Sequence, residues 1–335
     1  MLVKLVDMRH ALLGDKIEAT TAEQFFSLSG IPFCGGDVHE LRQSKEETPS
    51  HVILWGGGGL LYETAEETDG FLNKDTWDLL GLLEDKNIKL AIIGTGYNRH
   101  GSTKFMSVWK ELLDRATYIS LRDEQSIKKC KELTEAKTTE KYSFAPCPGF
   151  SIRNQIDRSL PRRIGFAAYS VGKEKIKIGI HQSLLSALRK QGMSIIFCPH
   201  GLDDDLFYKE NNFVTENDYL VDLRESPLAA LQLLASAEIH IASRLHALVA
   251  SVITNTPFIH VRWDLDKVFW QASQIGLKNY EYGFSSEKED YEKEIFSLRT
   301  RRINIQEQLS SIADEAARKA EHHFEIANLF LGRGK

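Results

Sequence analysis

The sequence predicts an α/β protein made of two Rossmann-like domains facing a cleft. Three observations lead there. The chain has 335 residues, too many for one ordinary hydrophobic core, which suggests two domains of about 150 residues each. Short apolar runs alternate with stretches whose apolar residues recur every three or four positions. That alternation is the mark of a parallel sheet with helices on both faces. The alternation pauses between Pro146 and Arg163, where prolines, a glycine and charges gather, and then restarts. The expected domains are therefore residues 1–157 and 158–335.

The elements follow in order. Val3 to Met8 is a first strand, Gly14-Asp15 a loop, and Ile17 to Leu28 a helix. Gly30 to Ser50 is rich in glycine and charge and is expected to be irregular, with one short strand at most. His51 to Trp55 is a buried strand that runs into Gly56-Gly57-Gly58-Gly59. Without Cβ atoms, such a run lets backbone N–H groups approach a ligand, or simply makes a tight turn. Trp77 to Lys86 is helical, Lys89 to Ile93 a strand ending in Gly94-Thr95-Gly96, and Phe105 to Arg115 a helix. Tyr118 to Leu121 is a strand, after which Asp123 caps a helix to about Leu133. Arg122 then projects from the carboxyl end of a strand, where open α/β sheets bind ligands. Ser143 to Ala145 closes the first half. In the second half Ile164 to Ala168, Ser194 to Cys198, Ile239 to Ala242 and Pro257 to Val261 are strands, with helices from Lys175 to Gln191 and Leu228 to Ala235 between them. A long charge-rich helix, about Ile303 to Leu331, ends the chain. Two such halves facing a cleft describe a GT-B-like arrangement.

Composition narrows the function classes. A hydrophobic share of 42% and a charged share of 27% are those of a soluble globular protein. The net charge of −5 gives no general attraction to nucleic acid. Four cysteines stand scattered with no CxxC pair. Neither a zinc site nor a disulfide framework is expected, and a reducing cytoplasm fits best. No signal peptide pattern opens the chain and no apolar run approaches the roughly 20 residues of a membrane helix. Contact with a membrane surface stays open.

The chemistry centres on Ile239-His240-Ile241-Ala242-Ser243-Arg244-Leu245-His246, a buried strand turning directly into a helix. Ser243 is the expected N-cap. Arg244 and His246 then fall in the first turn, beside free N–H groups and the positive end of the helix dipole, a place suited to an anion. A guanidinium adds a planar fork for carboxylate or phosphate, and an imidazole a proton exchangeable near neutral pH.

Four stretches, in order, resemble the polysaccharide pyruvyl transferase family: Gly14-Asp15 before a helix, Trp55-Gly56-Gly57-Gly58-Gly59-Leu60-Leu61, Leu121-Arg122-Asp123-Glu124-Gln125-Ser126, and Ser243-Arg244-Leu245-His246-Ala247 with Pro257 beyond it. Lys267 resembles the lysine after the next strand. The resemblance implies an enzyme that moves the enolpyruvyl group of phosphoenolpyruvate onto sugar hydroxyls, usually closing a pyruvate ketal on a polysaccharide precursor. It makes His246 and Arg244 the catalytic candidates. Arg122, Arg244, Ser243, Leu245, Lys267, Gly57 and Gly58 become the donor-binding candidates. Asp15 and Glu63 are guesses for the acceptor side or the base. Residues 158–335 would serve the donor and residues 1–157 the acceptor, lipid-linked or soluble. No cofactor and no metal are expected. Two other readings keep the fold: a GT-B glycosyltransferase using a nucleotide sugar, and a non-catalytic binding protein.

Overall fold

The computed structural model describes residues 3–6, 13–36, 49–56, 81, 83–84, 88–97, 103–134, 140–159, 161–172, 176–201, 203–261, 266–277 and 290–333. It divides into two units. The first holds residues 1–10, 18–149 and 318–335, the second residues 11–17 and 150–317.

In the first unit the strands β1 (Val3–Val6), β2 (Phe33–Gly36), β3 (His51–Trp55), β4 (Lys89–Ile93), β5 (Tyr118–Leu121) and β6 (Tyr142–Phe144) form one sheet in the order β2-β1-β3-β4-β5-β6. Every pairing is parallel. The central strands β3, β4 and β5 are buried along nearly their whole length, which is why they read as apolar runs. Successive side chains divide between two cores. Val52, Leu54, Leu90 and Ile92 pack with Val108, Trp109, Leu112 and Leu113 of helix α2 (Thr103–Arg115). Ile53, Trp55, Ala91 and Ile93 pack with Ala22 and Phe26 of helix α1 (Leu13–Leu28).

The second unit is a five-stranded parallel sheet of β7 (Arg163–Ser170), β8 (Ser194–Phe197), β9 (Tyr219–Leu220), β10 (Ala237–Ala242) and β11 (Phe258–His260). Its order is β11-β10-β7-β8-β9, and helices α4 (Ile178–Lys190), α5 (Asp204–Glu210), α6 (Pro227–Ser236) and α7 (Leu245–Ile253) connect its strands in turn. Strand order reverses between β7 and β10, since the chain leaves β7 toward β8 and returns to β10 on the other side. Such a switch point leaves a crevice at the carboxyl ends of the strands.

Several expectations are corrected. The break expected at 157/158 lies inside the second unit. Pro148–Gln155 is a 3₁₀ helix rather than a bare linker, with Phe150, Ile152 and Arg153 buried. Arg153 donates to the Ile253 carbonyl, Asn255, Ser310 and Asp314, all of the second unit. The single long C-terminal helix is two, Tyr291–Ala320 and His322–Phe330. The second of these belongs to the first unit, because Ile326, Ala327, Phe330 and Leu331 complete the core around Val3, Phe26, Ile53 and Trp55. Gly14-Asp15 lies within the first turn of α1, not in a loop before it; a carboxylate there is favoured by the helix dipole. Most of the helix expected at Trp77–Lys86 lies outside the described residues. Among the described residues no helix is long and apolar enough to cross a membrane.

One backbone position of the first sheet carries a prediction. Gly94, at the end of β4, has φ +80° and a Cβ built there would lie 2.2 Å from Cγ of Pro148. Left-handed backbone strains any other residue, and the overlap adds to it. Gly94→Ala is expected to cost at least about 2 kcal/mol, read as a lower Tm.

Buried histidines set the response to acid. His323 bonds Oγ of Ser120 through Nδ1 and donates from Nε2 to the Pro146 carbonyl. Burial pushes its imidazole down to about 4. In the second unit His181, whose Nδ1 lies 2.8 Å from the hydroxyl of Tyr169, is likewise pushed to about 4 by burial. Both are neutral in the folded chain, while the unfolded chain protonates near 6.5. Between those values the unfolded state binds more protons, so stability falls as pH drops through that window. Urea titrations across it are expected to show a falling midpoint, with less of a fall in His323→Phe.

Candidate functional site

The second unit places Ser243, Arg244 and His246 at its switch point. β7 ends at Ser170 and leads into Gly172; β10 ends at Ala242 and leads into Ser243. The two strand ends are tied together there, since the Gly172 amide donates to Oγ of Ser243 at 3.0 Å. Ser243 is therefore not the cap that was expected. The N-cap of the following helix α7 (Leu245–Ile253) is Arg244, in extended backbone and with no side-chain cap. The serine hydroxyl is drawn off by the neighbouring strand's loop, and the helix starts one residue later. The side chain of Leu245 is buried in the core, so only its backbone can face a ligand.

Behind this turn His240 fixes the strand. Its Nδ1 lies 2.7 Å from Oγ of Ser251, and that hydroxyl donates to the Ala247 carbonyl at 2.8 Å. Nδ1 therefore carries the proton, and Nε2 accepts from Oγ of Ser170 at 2.5 Å. Burial, with the neighbouring His200 and His260, holds this imidazole well below its ordinary value. The chain of bonds locks β7, β10 and α7 together in the neutral state. His260 adds a bond from Nε2 to the Arg244 carbonyl at 3.2 Å.

The guanidinium of Arg244 is bidentate on Asp204. Nη2 donates to Oδ1 at 3.0 Å and Nη1 to Oδ2. Asp204 opens the short helix α5 (Asp204–Glu210) after β8 and is 1% exposed. Its Oδ2 also accepts the amides of His200 and Gly201, at 3.1 and 2.6 Å. Burial pushes the carboxyl up, but Arg244 and the two amides outweigh it and leave it below the ordinary carboxylate range. Arg244 was expected to offer its fork to the donor. In the structure the fork is engaged by Asp204, because a buried carboxylate and a guanidinium satisfy each other's charge.

His246 sits one position into α7, its side chain 12% exposed, with Nδ1 4.0 Å from Oδ1 of Asp15. That is electrostatic range rather than a hydrogen bond. Asp15 belongs to the second unit through residues 11–17, and the Leu13 amide ties this stretch to the His200 carbonyl at 3.2 Å. His200 itself is buried, and no described group bonds its Nε2. Burial and then the charge of Arg244 push its imidazole down to about 3.

The first unit has its own polar cluster at the carboxyl ends of its strands. Arg122 follows β5 and is 1% exposed. Its guanidinium lies against Gly96, where a Cβ would stand 2.3 Å from Nε. Nη1 is buried and has no hydrogen-bond partner among the described residues. Asp123 is not its partner. The two oxygens of Asp123 accept the amide and the hydroxyl of Ser126, at 2.7 and 2.8 Å, capping helix α3 (Glu124–Thr134) as the sequence predicts. Nearby, Sγ of Cys147 donates to Oε1 of the buried Glu18 at 2.9 Å. Burial and the Glu18 charge push this thiol well above its ordinary value, against a smaller pull from Arg122. Gly56, at φ +58°, makes room for Glu18, whose Oε2 would lie 2.9 Å from a Cβ there.

The predicted residues are thus sorted. Ser243, Arg244, Leu245, His246 and Asp15 belong to the second unit and Arg122 to the first. Gly57, Gly58 and Glu63 lie outside the described residues, as does the side chain of Lys267 in the helix Asp266–Gln274. Asp204, His200, Glu18 and Cys147 were not foreseen. Pro199-His200 at a strand end was the one visible signal, while Glu18 and Cys147 are far apart in sequence and carry none.

Comparison with known proteins agrees with the motifs. The chain is 9% identical to MnaA of S. aureus, solved with UDP, over 99% of this chain and 97% of that one, at a TM-score of 0.59. It is 11% identical to Anabaena HepE, solved in complex with UDP, over 99% and 97%, at 0.53. The wall teichoic acid polymerase TagF gives 11% over 99% and 88%, at 0.52. At such identities the likeness is one of fold, and it is to GT-B-like enzymes. No curated protein sequence matches. The model of the polysaccharide pyruvyl transferase family matches residues 9–264, a span that runs from Asp15 through the Gly56 and Arg122 turns to the Arg244–His246 helix opening. The chain accordingly belongs to the polysaccharide pyruvyl transferase family and is a transferase.

Proposed function

We propose that the protein transfers the enolpyruvyl group of phosphoenolpyruvate to sugar hydroxyls of a polysaccharide precursor, closing a pyruvate ketal. The observation that supports this best is the Arg122 guanidinium, buried with an Nη1 that no described residue accepts from. A buried guanidinium N–H without an acceptor among the described residues is costly, so the place suits an anionic ligand that supplies one. The donor is such a ligand, with a carboxylate and a phosphate. Proton delivery to its methylene carbon opens C2 to a hydroxyl, phosphate leaves, and a second hydroxyl closes the ketal. Arg122 is the anchor for a donor anion. His246 is the proton donor, Arg244 sets geometry rather than net charge, and Asp15, the guess for the acceptor side or the base, lies in electrostatic range of His246. Lys267, Gly57, Gly58 and Glu63 keep the roles expected of them. The reading places the reaction in the cytoplasm, which suits the free thiols of Cys130, Cys147 and Cys198.

The alternative is a glycosyltransferase using a nucleotide sugar, favoured by the fold shared with MnaA and HepE, whose structures hold UDP. Release of phosphate from phosphoenolpyruvate with a panel of saccharide acceptors, against release of UDP from UDP-sugars, separates the two. Phosphate release is expected, and it is expected to survive a chelator, because arginines meet the charge on the leaving group. UDP release alone would overturn the proposal. Activity lost with chelator and restored by a divalent ion would overturn its metal-free form.

A further inference from the structure

The Arg244 guanidinium is enclosed by groups from two other segments of the second unit, at Gly172 and at Gly201 to Asp204. At its fork stands Asp204, bidentate and 1% exposed. Two glycines lie close to the guanidinium. A Cβ on Gly172 would stand 2.4 Å from Nη2, and one on Gly201 would stand 2.5 Å from the same atom. Either would displace the guanidinium. The Asp204 carboxylate is in turn fixed by the amides of His200 and Gly201. The carbonyl of Arg244 is bonded by His260 and its neighbour Ser243 by Gly172. Backbone and side chain of this arginine are thus both set before any ligand arrives. Such support matters where geometry must be held to a fraction of an ångström.

We propose that Asp204 is a positioning residue for the reaction. It touches no substrate; it clamps the Arg244 guanidinium by its fork, in the room that Gly172 and Gly201 leave, and so fixes where that guanidinium stands. The pair is neutral as a whole. Arg244 therefore acts by direction more than by net charge, and the donor's charge is met elsewhere. The inference rests on the donor reading given above only for its functional consequence; the clamp itself is a statement about Arg244.

The test uses the full-length protein with Asp204→Asn, Gly172→Ala, Arg244→Lys and the Asp204→Asn/Arg244→Lys double variant. Gly172→Ala keeps the Asp204 carboxylate and crowds the guanidinium directly, so it reaches the same displacement by a second route. Two quantities are read. One is the order of the Arg244 side chain by ¹⁵N relaxation, its Nε signal assigned from its loss in Arg244→Lys. The other is phosphoenolpyruvate binding and turnover. In Asp204→Asn and Gly172→Ala the Nε signal is expected to become mobile, and turnover to fall about a hundredfold, as for a small misplacement of a reacting group. In the Arg244→Lys background Asp204→Asn is expected to add little, because both act through one group. An Nε signal as ordered as in the wild type, or losses that simply multiply in the double variant, would overturn the positioning role. A wild-type protein that binds no phosphoenolpyruvate while the variants loosen Arg244 would sink the donor reading and leave the clamp standing.

Discussion

His246→Gln is expected to lower turnover about 10²–10⁴-fold, the usual contribution of a placed general acid, with little change in donor affinity or Tm. Glutamine is close in size to histidine and the site is largely enclosed, at 12% side-chain exposure. The helix opening does not depend on this side chain, since α7 has no side-chain cap and its first turn is set by the bonds of Ser243 and the Arg244 carbonyl. Glutamine can still hydrogen-bond a phosphate, but it cannot deliver a proton near neutral pH. The three roles open to His246 separate on one variant. Loss of the acid lowers turnover alone. Loss of a phosphate ligand weakens donor binding first. Loss of a structural contact lowers Tm and leaves the kinetics of the remaining folded protein near normal. Near wild-type turnover in well-folded protein would remove His246 as the acid. Asp15 lies 4.0 Å from Nδ1 of His246, beyond a hydrogen bond, so Asp15→Asn should cost less than His246→Gln.

Arg122→Met is expected to abolish donor binding, by about a hundredfold or more, while leaving the ligand-free protein as stable as before or more so. Removing one partner of a buried ion pair usually destabilises, because the other is left unpaired. Among the described residues no such partner is orphaned: Asp123 is committed to Ser126, and Nη1 of Arg122 has no partner. Methionine keeps most of the length and carries no charge, so the desolvation cost of the cation disappears. Binding reads out as stabilisation. Phosphoenolpyruvate at a hundred times its Kd raises wild-type stability by about 2.7 kcal/mol; in Arg122→Met the same addition should leave Tm unmoved. A clear fall of Tm in the ligand-free variant would show that the arginine is part of the fold's support and not held for a ligand.

Much of this protein was legible in the chain itself. Strands such as His51–Trp55 and Lys89–Ile93 appear where the apolar runs are, because parallel strands covered on both faces need apolar side chains at every position. The capping role of Asp123 could be read locally, since a cap bonds within three residues. The family could be read too, because its motifs are strand-end turns, each carried by a few consecutive residues.

What the tertiary structure decided is which of these residues keep their polar groups for a ligand. Ser243, a good cap by sequence, is taken by the amide of Gly172, which only the pairing of β7 with β10 brings near. Arg244, the expected fork, is taken by Asp204, forty residues earlier in the chain. Arg122, which the sequence offered two carboxylates next door, is left with neither. Polar satisfaction is a three-dimensional account: a buried donor or acceptor finds its partner wherever the folded backbone places one. The same reason moved the last helix to the first unit, where Ile326 and Phe330 fill a core begun by Val3. Apolar periodicity fixes that a face will be buried, and only the packed structure fixes against what.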